Sequence, residues 1–156
     1  MIDQSDLKAQ LTALLADEED WIANCAQFSA FVFQFFSGLN WDGFYFKHGV
    51  QLKLGPFQGK VACNPIALGM GVCGKAATTG KAIRVKDVHD FPGHIACDPV
   101  SHSEMVLPLA VQGKVLGVFD LDSPQRNRFT QKDQSLLTDL LEILIEKTDF
   151  KPSGLL

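Results

Sequence analysis

The 156-residue chain has no basic block: its fourteen lysines and arginines are scattered against eighteen acids, for a formal charge of −4. That balance argues against nucleic acid or an anionic membrane as partner. Long apolar runs are missing too. Phe28 to Phe36 is interrupted by Ser29 and Gln34 and falls far short of a membrane span. The start, Met1-Ile2-Asp3-Gln4-Ser5-Asp6, lacks the basic and apolar regions of a secretory leader. The end, Ser153-Gly154-Leu155-Leu156, has no prenylation signal. A cytoplasmic protein is the expectation. Internal repeats and linkers are absent, so one domain over residues 1–156 is expected.

What is present is ordinary globular material, 46% apolar and 21% charged. A chain of this length buries roughly 70% of its unfolded surface and needs neither disulfide nor metal to fold. In the cytosol its four cysteines are expected to be reduced, catalytic or metal-bound rather than permanent bridges.

Periodicity predicts a helix over 6–16, with Leu7, Leu11, Leu14 and Leu15 at helical spacing. A second helix over 20–37 carries Trp21, Cys25, Phe28, Val32, Phe35 and Phe36 on one stripe and stops at Gly38. Phe44, Phe46, Val50, Leu52 and Leu54 alternate around His48-Gly49 and predict a β-hairpin. A short helix over 72–78 and a strand over 82–85 follow, then a long irregular stretch over 86–102. Ordered loops of that length are commonly functional. Strands over 104–111 and 114–121 meet at Gln112-Gly113. Thr130-Gln131-Lys132-Asp133 is a capping-box pattern, opening a helix with Leu136, Leu137, Leu140, Leu141, Leu144 and Ile145 on one face. The order predicts an α+β domain, an antiparallel sheet with helices gathered on one side.

Cys25, inside an apolar stripe, reads as an inert buried thiol. Cys63, Cys73 and Cys97 fall in or beside the irregular middle. A thiol acts as a nucleophile only as thiolate, and the loop Phe91-Pro92-Gly93-His94-Ile95-Ala96-Cys97-Asp98 offers a histidine and turn N–H groups to Cys97. Zinc is the rival use, with His89, His94 and His102 as further donors. Structural zinc sites bring ligands in tight pairs, whereas only His94 and Cys97 are so spaced, so no metal is expected. Spacing leaves Cys63 and Cys73 as alternative partners for Cys97.

The acids supply the other half of a site. Asp120 and Asp122 share strand parity and point to one face, and pairing about Gln112-Gly113 brings Glu104 to the same end. Converging carboxylates repel unless a cation or shared protons relieve them. Trp41 and Tyr45, outside the clean apolar pattern, are candidates for a pocket wall.

Three segments then carry a resemblance: Leu54-Gly55-Pro56-Phe57-Gln58-Gly59-Lys60-Val61-Ala62-Cys63, Gly69-Met70-Gly71-Val72-Cys73-Gly74, and Asp87-Val88-His89-Asp90 running on into the Cys97 loop. Together with Phe119-Asp120-Leu121-Asp122-Ser123 they resemble the free methionine-(R)-sulfoxide reductases, enzymes built on a GAF domain. The resemblance implies a six-stranded antiparallel sheet between helices, commonly in a homodimer. It implies Cys97 as the nucleophile that becomes a sulfenic acid, Cys63 as the resolving cysteine and Cys73 as a third, substitute thiol. Glu104, Asp120 and Asp122 become pocket carboxylates, Trp41 and Tyr45 the aromatic wall, and Asp87 a further substrate-binding candidate. Free methionine-(R)-sulfoxide is the implied substrate and thioredoxin the reductant, with no cofactor. A protonated Glu104 fits the need to protonate the sulfoxide oxygen, and the aspartates fit the ammonium of a free amino acid. A ligand-sensing GAF domain is the alternative, since fold alone does not choose.

Overall fold

A computed structural model describes residues 3–156. Met1 and Ile2, part of the start read above for a leader, lie outside the described residues. The elements run α1 (Gln4–Leu14), α2 (Trp21–Phe35), β1 (Trp41–His48), β2 (Gln51–Gly59), β3 (Ile66–Ala67), α3 (Gly71–Thr79), β4 (Ile83–Val85), β5 (Ser103–Val111), β6 (Lys114–Ser123) and α4 (Gln131–Lys147). The strands form one antiparallel six-stranded sheet in the order β3-β2-β1-β6-β5-β4.

Local chemistry explains most boundaries. Asp20 starts α2 by accepting a hydrogen bond from the Ala23 N–H, and Thr130 and Asp133 close the expected reciprocal box on α4. Gln112 and Gly113 both have positive φ, 51° and 77°, the geometry a two-residue turn between twisted strands requires. The first hairpin turns at Gly49-Val50, one residue later than its alternation suggests. β3 went unread because two residues carry no periodic signal. Gly117 lets β6 lie against β1: a Cβ there would sit 2.1 Å from the Tyr45 carbonyl oxygen.

Helices cover both faces of the sheet, which corrects the one-sided arrangement expected from element order. α1, α2 and α4 pack on one face around Phe28, Phe44, Phe119, Leu121, Leu137 and Leu140. α3 covers the other through Val72, Cys73, Ala76 and Ala77, against Tyr45, Val106 and Val118. Small residues on α3 let it lie close to the strands, and their weak apolar signal hid the second layer from the periodicity, whereas the resemblance implied it. Among the described residues the core face carries the carboxyl of Asp42, fully buried and accepting a hydrogen bond from the Ser29 hydroxyl. Burial pushes Asp42 up to about 8, the Ser29 bond opposing and Asp120 adding to the rise. No helix among the described residues is long and apolar enough to cross a membrane.

Candidate active site

The site lies on the α3 face, where strand register collects acids. Glu104 of β5 pairs directly with Asp122 of β6, and Asp120 lies opposite Val106 on one side and Gly43 on the other. Side-chain alternation sends all three carboxylates to the α3 face, as strand parity predicts. α3 then sets Cys73 over them, its Sγ 3.9 Å from Glu104 Oε1. Glu104 and Asp120 are buried, and Asp122 is half-buried.

Burial dominates the electrostatics. It holds Glu104 well above the usual carboxylate range, with the Asp120 and Asp122 charges adding to the rise. Asp120 is pushed to about 6, mainly by burial, with hydrogen bonds to Glu104 and Cys73 opposing. Asp122 is raised by burial first and then by Asp120. Burial and the same carboxylates push the Cys73 thiol well up, so Cys73 stays a thiol at neutral pH. Three acids in so small a volume share protons.

Aromatic side chains wall one flank. Trp41 and Tyr45 stand with ring centroids 5.9 Å apart. The Trp41 Nε1–H donates to the Lys60 carbonyl at 3.1 Å, and the Tyr45 hydroxyl donates to the Cys63 carbonyl at 2.8 Å. Those bonds tie the segment after β2 to the wall, so the sheet positions Cys63. The long loop closes the opposite flank. Its ends are anchored by Val88 N–H to the His102 carbonyl and His102 N–H to the Ser123 carbonyl. Asn40 grips its middle, donating to Asp98 and to the Ser101 hydroxyl.

This loop carries Cys97, which is disulfide-bonded to Cys63 with an S–S distance of 2.06 Å. Cys97 is exposed, whereas Cys73 and Cys25 are free and buried. The choice that spacing left open between Cys63 and Cys73 is therefore made by the fold. Cys97, Cys73, Trp41, Tyr45, Glu104, Asp120 and Asp122 all line one cavity.

Asp87 is the exception among the candidates. It caps the turn Val88–Asp90 through the His89 N–H and pairs with His89 Nδ1 and Arg126 Nε at 2.7 and 3.1 Å. The His89 hydrogen bond, first among these, pulls Asp87 down to about 2. It lies away from the cavity lining, so its nearness in sequence to the Cys97 loop misleads.

Three lining groups escaped the sequence reading. His94 was weighed only as a neighbour of the thiol and a zinc donor, yet its Nε2 lies 3.7 Å from Glu104 Oε2. Burial lowers this imidazole. Asp98 and Ser101 join the rim, and nothing in their spacing signals it. At the entrance to α3, Met70 offers no side-chain cap. The Met70 N–H is taken by the Ala67 carbonyl, and the first-turn N–H groups, which a helix leaves without internal acceptors, begin beside the cavity at Gly71 and Val72.

A disulfide-bonded cysteine pair beside buried acids, on a six-stranded sheet between helices, defines a thiol-bearing GAF domain, and the GAF domain family matches residues 12–144. The chain is 45% identical over 150 residues to the free methionine-R-sulfoxide reductase of Escherichia coli (strain K12), an alignment covering 94% of this chain and 91% of that protein. It is 40% identical over 140 residues to the protein of the same name from Saccharomyces cerevisiae (strain ATCC 204508 / S288c), covering 85% and 78%. The X-ray structure of free methionine-R-sulfoxide reductase from Neisseria meningitidis in complex with its substrate superposes with a TM-score of 0.88 at 40% identity, covering 92% of this chain and 87% of that one. The chain belongs to the free methionine-R-sulfoxide reductase family of GAF domains, and its class is that of an oxidoreductase acting on methionine sulfoxide.

Proposed function

We propose that one GAF domain over residues 1–156 reduces free methionine-(R)-sulfoxide to methionine, with Cys97 as nucleophile and Cys63 as resolving thiol. The single observation that carries this is the Cys63–Cys97 disulfide at a cavity floored by Glu104, Asp120 and Asp122. In the reduced protein the Cys97 thiolate attacks the sulfoxide sulfur while Glu104 protonates the oxygen. The oxygen passes to Cys97, leaving methionine and a Cys97 sulfenic acid. The Cys63 thiol condenses with that acid, one water leaves, and the observed disulfide forms. A dithiol reductant such as thioredoxin returns both thiols by exchange, and Cys73, buried beside Glu104, serves as a substitute thiol.

Recognition follows from charge. Asp120 and Asp122 face the substrate ammonium, and the open first turn of α3 suits its carboxylate. Trp41 and Tyr45 pack against the thioether arm, giving sulfur–aromatic contact. A peptide-bound methionine sulfoxide lacks the ammonium and is refused. The working protein is a cytoplasmic homodimer, joined through the aromatic-rich helix α2.

The test is NADPH consumption with thioredoxin and thioredoxin reductase, comparing free methionine-(R)-sulfoxide with its N-acetylated form. Turnover on the free form alone is expected. Turnover on neither, with folded protein, would point to a ligand-sensing GAF domain instead. Sedimentation at working concentration tests the dimer, and a monomer there removes it.

A further inference from the structure

Cys73, Glu104 and Asp120 come from three different elements, yet their donor atoms all lie within 4.8 Å of one another, and all three side chains are buried. A tetrahedral zinc with Zn–S near 2.3 Å and Zn–O near 2.1 Å sets sulfur and oxygen about 3.6 Å apart. Cys73 Sγ and Glu104 Oε1 stand 3.9 Å apart, so a small closing movement makes the pair chelating. A second observation is independent of this spacing. Asp120 meets Glu104 and Cys73 within the cluster, yet its Oδ1 is buried with no hydrogen-bond partner, on a side chain only 5% exposed that lines the same cavity. A buried carboxylate oxygen with no donor is costly to leave so. Among the described residues no lysine or arginine pairs with these acids, and the His94 imidazole, 3.7 Å from Glu104, is itself held toward its neutral form by burial.

We infer that Cys73, Glu104 and Asp120 form a binding site for a thiophilic divalent cation of the zinc class, with its fourth coordination position open to the cavity. The donor set decides the class. One sulfur with two carboxylates favours Zn2+ or Co2+ over Mg2+ and Ca2+, which prefer all-oxygen shells. This set differs from the loop cysteines and histidines whose spacing argued against zinc. Binding displaces the Cys73 thiol proton and the proton held by Glu104 to solvent and forms no other covalent product. Where the reductase reading holds, the cation occupies the floor assigned to the substrate ammonium and closes the pocket to it. The site itself stands on geometry alone and does not depend on that reading.

The oxidised full chain isolates the site, because the Cys63–Cys97 disulfide removes both loop thiols and leaves only Cys73 and the distant Cys25 free. Titrating this form with Co2+ is expected to raise a sulfur-to-cobalt charge-transfer band in the near ultraviolet, which Zn2+ then bleaches by displacement. Cys25→Ser keeps the band and Cys73→Ser removes it. Asp120→Asn, nearly isosteric, weakens Zn2+ binding by at least about tenfold in calorimetry. Failure of the band to appear in folded wild-type protein overturns the inference. So does a band that survives Cys73→Ser, or a Zn2+ affinity indifferent to Asp120→Asn. Should Cys73→Ser not fold, the Asp120→Asn calorimetry decides. No substrate is present in these titrations, so their failure is separate from a failure of the reductase assay.

Discussion

The two faces of the sheet are built from the same strands and do opposite jobs. On β5 and β6, Met105, Leu107, Phe119 and Leu121 point to α1, α2 and α4, while Glu104, Val106, Asp120 and Asp122 point to α3 and the long loop. The first face is continuous aromatic and aliphatic packing; Phe28 meets Phe119 edge-on at 5.0 Å and Phe44 at 5.7 Å. The second stops being apolar near one end of the strands, where acids replace aliphatic residues and a loop replaces a helix. The lesson is that the core face supplies the stability that lets the other face hold buried, mutually repelling carboxyls. Substitutions on the two faces are therefore expected to separate, with chemistry lost on one side and stability on the other.

The largest effect is expected from Cys97→Ser, which abolishes turnover in the thioredoxin-coupled assay without lowering the melting temperature of the reduced protein. Cys63→Ser sharpens the point by yielding one rapid equivalent of methionine per chain and leaving later rounds to the slower route through the buried Cys73. Glu104→Gln keeps the shape of the site and removes its acid, so kcat falls by about 10²–10⁴. Full activity in that variant would assign the proton to another group.

Phe119→Ala breaks the other face. A buried phenylalanine cut to alanine costs about 3–5 kcal/mol, measurable by urea denaturation, while turnover per folded molecule is retained. Loss of activity without loss of stability would dissolve the division between the faces.

Asp42 tests the division from within, as a carboxyl on the apolar side. Its pKa is raised to about 8 in the folded state, against about 3.9 in an unfolded chain. The folded protein then binds the extra proton, so this group costs stability increasingly as pH rises from about 4 to about 8. Asp42→Asn removes that cost. Its melting temperature is expected to match wild type near pH 4 and to exceed it progressively toward pH 8. A pH-independent difference would show that Asp42 is not titrating in that window.

The smallest effect belongs to Asp87→Asn. With its partners His89 and Arg126 outside the cavity, the KM for free methionine-(R)-sulfoxide should not change. A large rise in KM would return Asp87 to the substrate site.

Much of this was legible from short-range rules. The Thr130 box, the Gln112-Gly113 turn and the parity of Asp120 and Asp122 each depend on residues a few positions apart, where backbone stereochemistry alone sets the outcome. The resemblance carried by the segments around Cys63, Cys73 and Cys97 added their family roles. The second helical layer was legible only through that resemblance and not through periodicity, because Val72, Ala76 and Ala77 on α3 are too small to announce a buried face. Nor was Asp87's absence from the site, since its partner Arg126 is distant in sequence.

The sequence by itself determined which residues alternate, where the turns and caps fall, and which side chains bear reactive chemistry, because those depend on local dihedral preference and side-chain type. Only the tertiary structure decided that Cys63 rather than Cys73 meets Cys97, that His94 approaches Glu104, and that Cys73 seals the carboxylate floor. Each of those contacts joins elements separated by loops, and their distances are set by the packing of α3 and the long loop on the sheet.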